Sequence, residues 1–251
     1  MTDIQIVSDL HIEHKNNAFV NPFSLIVPTA NILVLAGDIG SLYQYEQLRD
    51  FLTKLCPKFK MVIYVPGNCE YYRIQEIRPE SMGVLFERIL RISNNIPNLH
   101  ILDRSSIRVG NVCIAGATLW SRLDTQIPKY IVRIHGISTE RYTTAFENDL
   151  HYIQTMINHC HQKQLKLVVV THYAPTYRAL DGARKKKRLQ SLYASHLDHL
   201  LSSDKVHTWI CGHVHRNFDF VTDGGTRVVG NQLGKPKDQI VDYRPNFVLH
   251  I

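Results

Sequence analysis

Seven side chains able to hold a metal ion stand just past short apolar runs: Asp9, His11, Asp38, Asn68, His172, His213 and His215. They occur as Asp9-Leu10-His11, Gly37-Asp38, Gly67-Asn68, Thr171-His172 and Gly212-His213-Val214-His215. Two carboxylates, one amide and four imidazoles form an N/O donor set for borderline divalent metals, without the thiolates of a structural zinc site. Seven donors are too many for one tetrahedral ion and enough for two ions that share a carboxylate. Two ions about 3.5–4 Å apart lower the pKa of a bridging water and clamp an in-line displacement at phosphorus. Two divalent cations also outweigh Asp9, Asp38 and a bridging hydroxide, so the centre stays electropositive and attracts phosphate. Phosphoester hydrolysis is the reaction class this chemistry serves. Turn or capping chemistry explains Asp38 or Asn68 taken singly, but not the whole ordered set.

Such a set works only if the chain brings distant segments to one rim. The donors follow apolar runs at 4–7, 32–36, 61–65, 167–170 and 208–211, which read as strands buried on both faces. Helix-like patterns lie between, over 43–55, 79–95, 138–163 and 189–202. Ser138 is a candidate cap, ahead of Phe146, Leu150, Ile153 and Ile157 at helical spacing. Residues 218–221 and 226–229 flank Thr222-Asp223-Gly224-Gly225 and read as a hairpin, with a last strand at 246–251. Strands alternating with helices define an α/β chain, and ligands bind such sheets at the C-terminal ends of their strands.

The chain has 251 residues, 44% hydrophobic and 20% charged, which suits one domain over 1–251 and argues against a disordered or fibrous chain. Lys+Arg 29 against Asp+Glu 22 gives +7, a field that favours anionic ligands. Cys56, Cys69, Cys113, Cys160 and Cys211 are scattered, with no CxxC pair, as reduced thiols of a cytoplasmic protein would be. The first residues lack the basic n-region of a signal peptide, and no apolar stretch is long enough for a membrane span, so a cytoplasmic location is expected. Nuclear entry remains open, because the basic run Arg184-Lys185-Lys186-Lys187-Arg188 reads as a solvated loop, as an arm for nucleic-acid phosphates, or as a localisation signal. His159-Cys160-His161 and His196/His199 read as structural rather than as further metal sites. Gly234-Lys235 lacks the spacing and the hydroxyl residue of a phosphate-binding P-loop.

With Cys69 and Glu70 added to the third group, the five segments resemble the ordered motifs of the calcineurin-like metallophosphoesterases: D-x-H, G-D, G-N-H-[ED], an isolated His and G-H-x-H. Gly116-Ala117-Thr118-Leu119-Trp120-Ser121 and Thr171-His172-Tyr173-Ala174-Pro175 also resemble small single-domain members, and the similarity runs from about 4 to 233. The resemblance implies a four-layer α/β/β/α sandwich with a dinuclear metal site at the C-terminal strand ends. It implies that Asp9, His11 and His215 hold the first ion, that Asn68, His172 and His213 hold the second, and that Asp38 bridges them. Manganese, iron or zinc would serve, and a metal-bridging hydroxide would attack the phosphoester. The substrate would be a phosphorylated small molecule or a nucleic acid, as a mono- or diester.

One position departs from the pattern. Cys69 stands where the family has a His that contacts the phosphate and can protonate the leaving group. A thiol is shorter and a weaker donor, and two nearby cations would push it towards thiolate. Loss of a general acid costs about 10²–10⁴-fold in rate. Three readings follow: a variant that still cleaves esters with good leaving groups; a lesion that leaves a metal-retaining, slow or inactive phosphate- or nucleic-acid-binding pseudoenzyme; or an acid supplied from elsewhere. His14, Tyr71 and Tyr72 are the candidates for that acid, and with Arg184 and Lys185 they are the candidate substrate contacts. The loops 42–45, 120–136 and 173–189 would set specificity.

Overall fold

In the computed structural model, which describes residues 2–15, 17–181 and 187–251, the strands divide between two sheets. The order along the chain is β1 (Asp3–Val7), β2 (Ile32–Leu35), α1 (Tyr45–Leu55), β3 (Met61–Tyr64), α2 (Met82–Asn94), β4 (Leu99–Ile101), β5 (Ser105–Val109), β6 (Val112–Ala117), α3 (Thr139–Gln162), β7 (Lys166–Thr171), β8 (Thr208–Ile210), β9 (Phe218–Val221), β10 (Arg227–Gly230) and β11 (Val248–His250). The first sheet has the order β11-β1-β2-β3-β4 and the second β5-β6-β7-β8-β10-β9. β1 to β4 are mutually parallel, as are β6, β7, β8 and β10. β11, β5 and β9 close the edges antiparallel.

The period of two along each strand separates two cores. Ile4, Ile6, Ile32, Val34 and Ile63 from the first sheet join Val112, Ile114, Val168, Val170, Ile210 and Val229 from the second in one buried cluster. The alternate residues, Leu33, Leu35, Val62, Tyr64, Ala115, Val169 and Trp209, belong to a second cluster that also holds the apolar stripes of the helices. Both faces of each sheet are therefore covered, and the continuous Val/Ile/Leu runs follow from that. Full burial of each such side chain is worth about 1.5–3 kcal/mol. α2 packs on β4 of the first sheet and α3 on β6 and β7 of the second, which gives the four-layer α/β/β/α sandwich.

Local signals place the helices. Leu48, Phe51, Leu52 and Leu55 bury one stripe of α1. The Ser81 side chain accepts from Val84 N at the start of α2, and Ser138 from Arg141 N at the start of α3, as a helix cap does. Phe146, Ile153 and Ile157 are buried along α3, with Leu150 half-buried among them. The expected hairpin is β9 and β10, with Val228 opposite Phe220.

The segment 189–202 is not the helix its apolar spacing suggests. It forms two short 3₁₀ turns, Lys187–Leu192 and Asp198–Leu200. Ser195 N and Leu197 N donate to the carbonyls of Ala174 (3.0 Å) and Pro175 (2.9 Å), and Thr176 Oγ1 donates to Asp198 Oδ1 (2.7 Å). Tertiary partners take the groups that an α-helix would pair internally. β4 and β5, short and half-exposed, likewise carried no usable pattern.

Candidate metal centre

The parallel strands deliver their C-terminal ends to one rim, where hydrogen bonds within and between the sheets lock the loops. Ser8 N donates to Asn231 O (2.9 Å), Gly212 N to His172 O (2.9 Å) and Thr118 Oγ1 to Pro66 O (2.9 Å). Five of the seven donor residues turn there with left-handed backbones: Asp9 (φ 54°), His11 (47°), Asp38 (54°), His213 (67°) and His215 (52°). That conformation costs an ordinary residue about 1–2 kcal/mol, and strain of this kind concentrates at functional sites. Gly67 and Gly212 pack so closely that a Cβ on either would collide with Asp38 Oδ1 or Asp9 Oδ2.

All seven side chains come together. Asp9, His11, Asp38 and His215 form one group and Asp38, His172 and His213 another, with donor atoms within 4.8 Å of one another in each. Asp38 is the member common to both. In the first group His11 Nε2 lies 3.0 Å from His215 Nε2 and 3.7 Å from Asp38 Oδ2, and His215 Nε2 lies 3.3 Å from Asp9 Oδ1. In the second, His172 Nε2 lies 3.2 Å from Asp38 Oδ1, 3.1 Å from His213 Nδ1 and 3.0 Å from Asn68 Oδ1.

Each imidazole presents one nitrogen to this cluster and gives the other to an acceptor. His11 Nδ1 donates to Glu13 Oε1 (2.8 Å), His172 Nδ1 to Ala36 O (2.9 Å), His213 Nε2 to Leu192 O (3.0 Å) and His215 Nδ1 to Asp238 Oδ2 (2.5 Å). In the neutral ring the outward N–H sets the tautomer and leaves the inward nitrogen a lone pair for a cation. Sequence reasoning missed Glu13 and Asp238; neither sits in a motif, and Asp238 is brought in only by the chain's return after β10. Glu70, fully buried, braces the rim. Its carboxylate accepts from Asp38 N (3.1 Å), Ile39 N (2.8 Å), Gly67 N (2.9 Å) and Tyr64 Oη (2.5 Å).

Electrostatics in the metal-free chain shows how tightly these groups are coupled. Burial alone would raise Asp38, but the imidazoles of His172, His11 and His213 hold its carboxyl well below the usual range. Burial would lower His172 and His215, yet Asp38 lifts the first to about 9 and Asp238, with Asp9, lifts the second to about 9. His213 is pushed well below its ordinary value by burial and by His172. In this state the imidazoles supply the countercharge for two buried carboxylates, a role that divalent cations fill more strongly.

Cys69 is buried at the edge of the cluster, its N–H donating to Asp38 Oδ1 (2.8 Å). Burial and the Asp38 carboxylate push its thiol well above the ordinary value. The protein by itself therefore opposes the thiolate that two neighbouring cations were expected to favour. Beside it opens a cavity of about 790 Å³, lined among others by Glu13, His14, Tyr72, Arg73, Arg133 and Lys235. His14 is exposed, 3.9 Å from Glu13, and Tyr72 is half-buried with the Arg133 guanidinium 5.3 Å over its ring. Tyr71 instead turns into the core near Trp120 and does not line the cavity. Arg184 and Lys185 lie outside the described residues. His196 pairs with Asp198 at the surface, and among the described residues neither it nor His159, His161 or His199 joins a metal-competent group.

A two-sheet sandwich whose rim gathers these groups is the architecture of a metal-dependent phosphoesterase. Residues 3–217 match the sequence model of the calcineurin-like phosphoesterase family, and the chain belongs to that family. It is 23% identical over 260 residues to an uncharacterized protein, L509, of Acanthamoeba polyphaga mimivirus, covering 93% of this chain and 91% of that one. Among solved structures it is similar in fold to a phosphopantetheinyl hydrolase from Mycobacterium tuberculosis (TM-score 0.69, 15% identity, 94% of this chain and 91% of that one). It is similar also to a dimetal phosphatase from Danio rerio (TM-score 0.59, 13% identity, 93% and 87%). The family acts on phosphorylated substrates through divalent metal ions in a dinuclear site. Among the described residues no helix is long and apolar enough to cross a membrane.

Proposed function

We propose that residues 1–251 act as one unit, a dinuclear metallophosphoesterase in which Asp9, His11 and His215 hold one ion, Asn68, His172 and His213 hold a second, and Asp38 bridges the two. The observation that carries this reading is the pair of donor groups that share Asp38, each imidazole having its outward nitrogen already satisfied. The N/O donor set fits manganese, iron or zinc. When bound, two such ions supply Lewis acidity towards the phosphoryl oxygens and lower the pKa of a water that serves as nucleophile.

The chain's own residues supply positioning. Glu13, Asp238 and the carbonyls of Ala36 and Leu192 fix four rings, so little rearrangement is needed when the ester arrives. Arg73, Lys129, Arg133 and Lys235 on the cavity wall favour an anionic, phosphorylated small molecule. The five cysteines, all free and buried, support a reducing, cytoplasmic setting. Hydrolysis of a bis-aryl phosphate with added Mn²⁺, compared between the wild type and Asp38→Asn, tests the reading. A much lower rate in the variant is expected from losing a shared metal ligand, and equal rates would overturn the reading. Cys69 favours a second reading, a metal-retaining protein that grips phosphorylated ligands without turnover; equal rates together with metal-dependent phosphate binding would select it.

A further inference from the structure

Where the resemblance implies an imidazole, this chain has the Cys69 thiol, a weaker hydrogen-bond donor. Near that sulfur the structure places a cation that no motif announces. Lys235 Nζ lies 3.9 Å from Cys69 Sγ, half-buried, in the wall of the same cavity. Its loop is tied to the centre. Leu233 N and Gly234 N donate to Ser8 O (3.2 Å) and Asp9 O (2.9 Å), and Gly234 turns with φ +74°. Lys235 N donates to Asp238 Oδ2 (2.8 Å), the oxygen that also accepts from His215 Nδ1, and Asp238 N returns a bond to Lys235 O (2.8 Å). One carboxylate therefore orients a candidate ligand and anchors the lysine backbone.

We propose that Lys235 takes over the contact that the family's imidazole makes, its ammonium donating hydrogen bonds to the bound phosphoryl group and to the departing ester oxygen. This rests on the phosphoesterase reading above. Water supplies the oxygen of the new P–O bond while the P–O bond to the leaving group breaks. The leaving oxygen keeps the bonding pair and takes the proton that the water gives up, and Lys235 remains an ammonium throughout. Lysine reaches further than histidine, and the short thiol leaves it room. Burial alone would lower the ammonium, and the negative charges of Asp38, Glu13 and Asp238 hold it above its ordinary value, so it stays charged at neutral pH. Of the earlier candidates, Tyr72 is neutral, His14 is exposed and Tyr71 turns away.

The test uses the manganese-loaded full chain with Lys235→Met and Lys235→Arg. Metal content is read by elemental analysis, inorganic phosphate affinity by calorimetry, and kcat and KM across aryl and alkyl phosphates of rising leaving-group pKa. Lys235→Met should keep the wild-type metal content and bind phosphate about tenfold or more weakly. Its kcat should fall by about 10²-fold for the poorest leaving groups, the scale for loss of one transition-state donor, and much less for the best. Lys235→Arg should keep most of the phosphate affinity, and Cys69→His should restore the alkyl-ester rate in the Lys235→Met background. Unchanged phosphate affinity with a uniform rate effect, or loss of metal in both variants, would overturn the proposal. If the wild type cleaves no ester while phosphate binding still depends on Lys235, the hydrolase reading fails and the phosphate contact stands.

Discussion

At the scale of single residues, the donor cluster depends on side chains that lie outside it. Asp238 holds the His215 ring through a 2.5 Å bond and so fixes which nitrogen faces inward. Asp238→Asn should therefore lower metal affinity by about 10–100-fold, measured by competition with a chelating dye, while the far-UV circular dichroism stays unchanged. Cys69 makes the opposite kind of prediction. Cys69→His restores the family pattern, and turnover of an alkyl phosphodiester should rise more than that of an aryl one; no gain for the alkyl ester would show that the thiol does not limit the reaction. The seven donors were legible in the sequence because each follows a strand-like run in a recognisable order. Glu13, Asp238 and Lys235 were not, because a carboxylate or an ammonium in a polar loop has no pattern until the fold gives it a neighbour.

At the scale of elements, strands and helices with local signals matched expectation, and segments governed by distant contacts did not. Ser138 accepts from Arg141 N as its place before an amphipathic run suggested. Ser138→Ala should cost about 0.5–2 kcal/mol, read from the urea midpoint. Residues 189–202 show the reverse case. Their apolar spacing reads as a helix, yet Ser195 and Leu197 bond to the stretch after His172, and Leu192 presents its carbonyl to His213. This segment shapes the second donor group rather than merely connecting strands. Asp198→Ala, which removes the acceptor of Thr176 Oγ1, should lower the affinity for one of two Mn²⁺ ions and leave the other near its wild-type value, as calorimetric titration would resolve.

At the scale of the whole molecule, the two sheets meet at a rim that concentrates charge. Asp9 and Asp38 are fully buried there beside four imidazoles. Ions that bind this arrangement and not the unfolded chain stabilise the fold by about 2.7 kcal/mol at a hundredfold excess over Kd. Chelation should accordingly lower Tm, and Mn²⁺ should restore it; in Asp38→Asn, where the carboxylate common to both donor groups is gone, most of that difference should vanish.

The sequence by itself determined which residue types can do chemistry, their order along the chain and the strands that end in them, because periodicity and motif order are properties of neighbouring residues. It also exposed Cys69 as a departure. Only the tertiary structure decided that six of the seven donors form two groups sharing Asp38, with Asn68 beside His172, and that Glu13, Asp238, Ala36 and Leu192 aim the rings. It alone brought Lys235 up to the thiol. Those facts depend on contacts across up to two hundred or so residues of chain, which packing creates and local pattern does not encode.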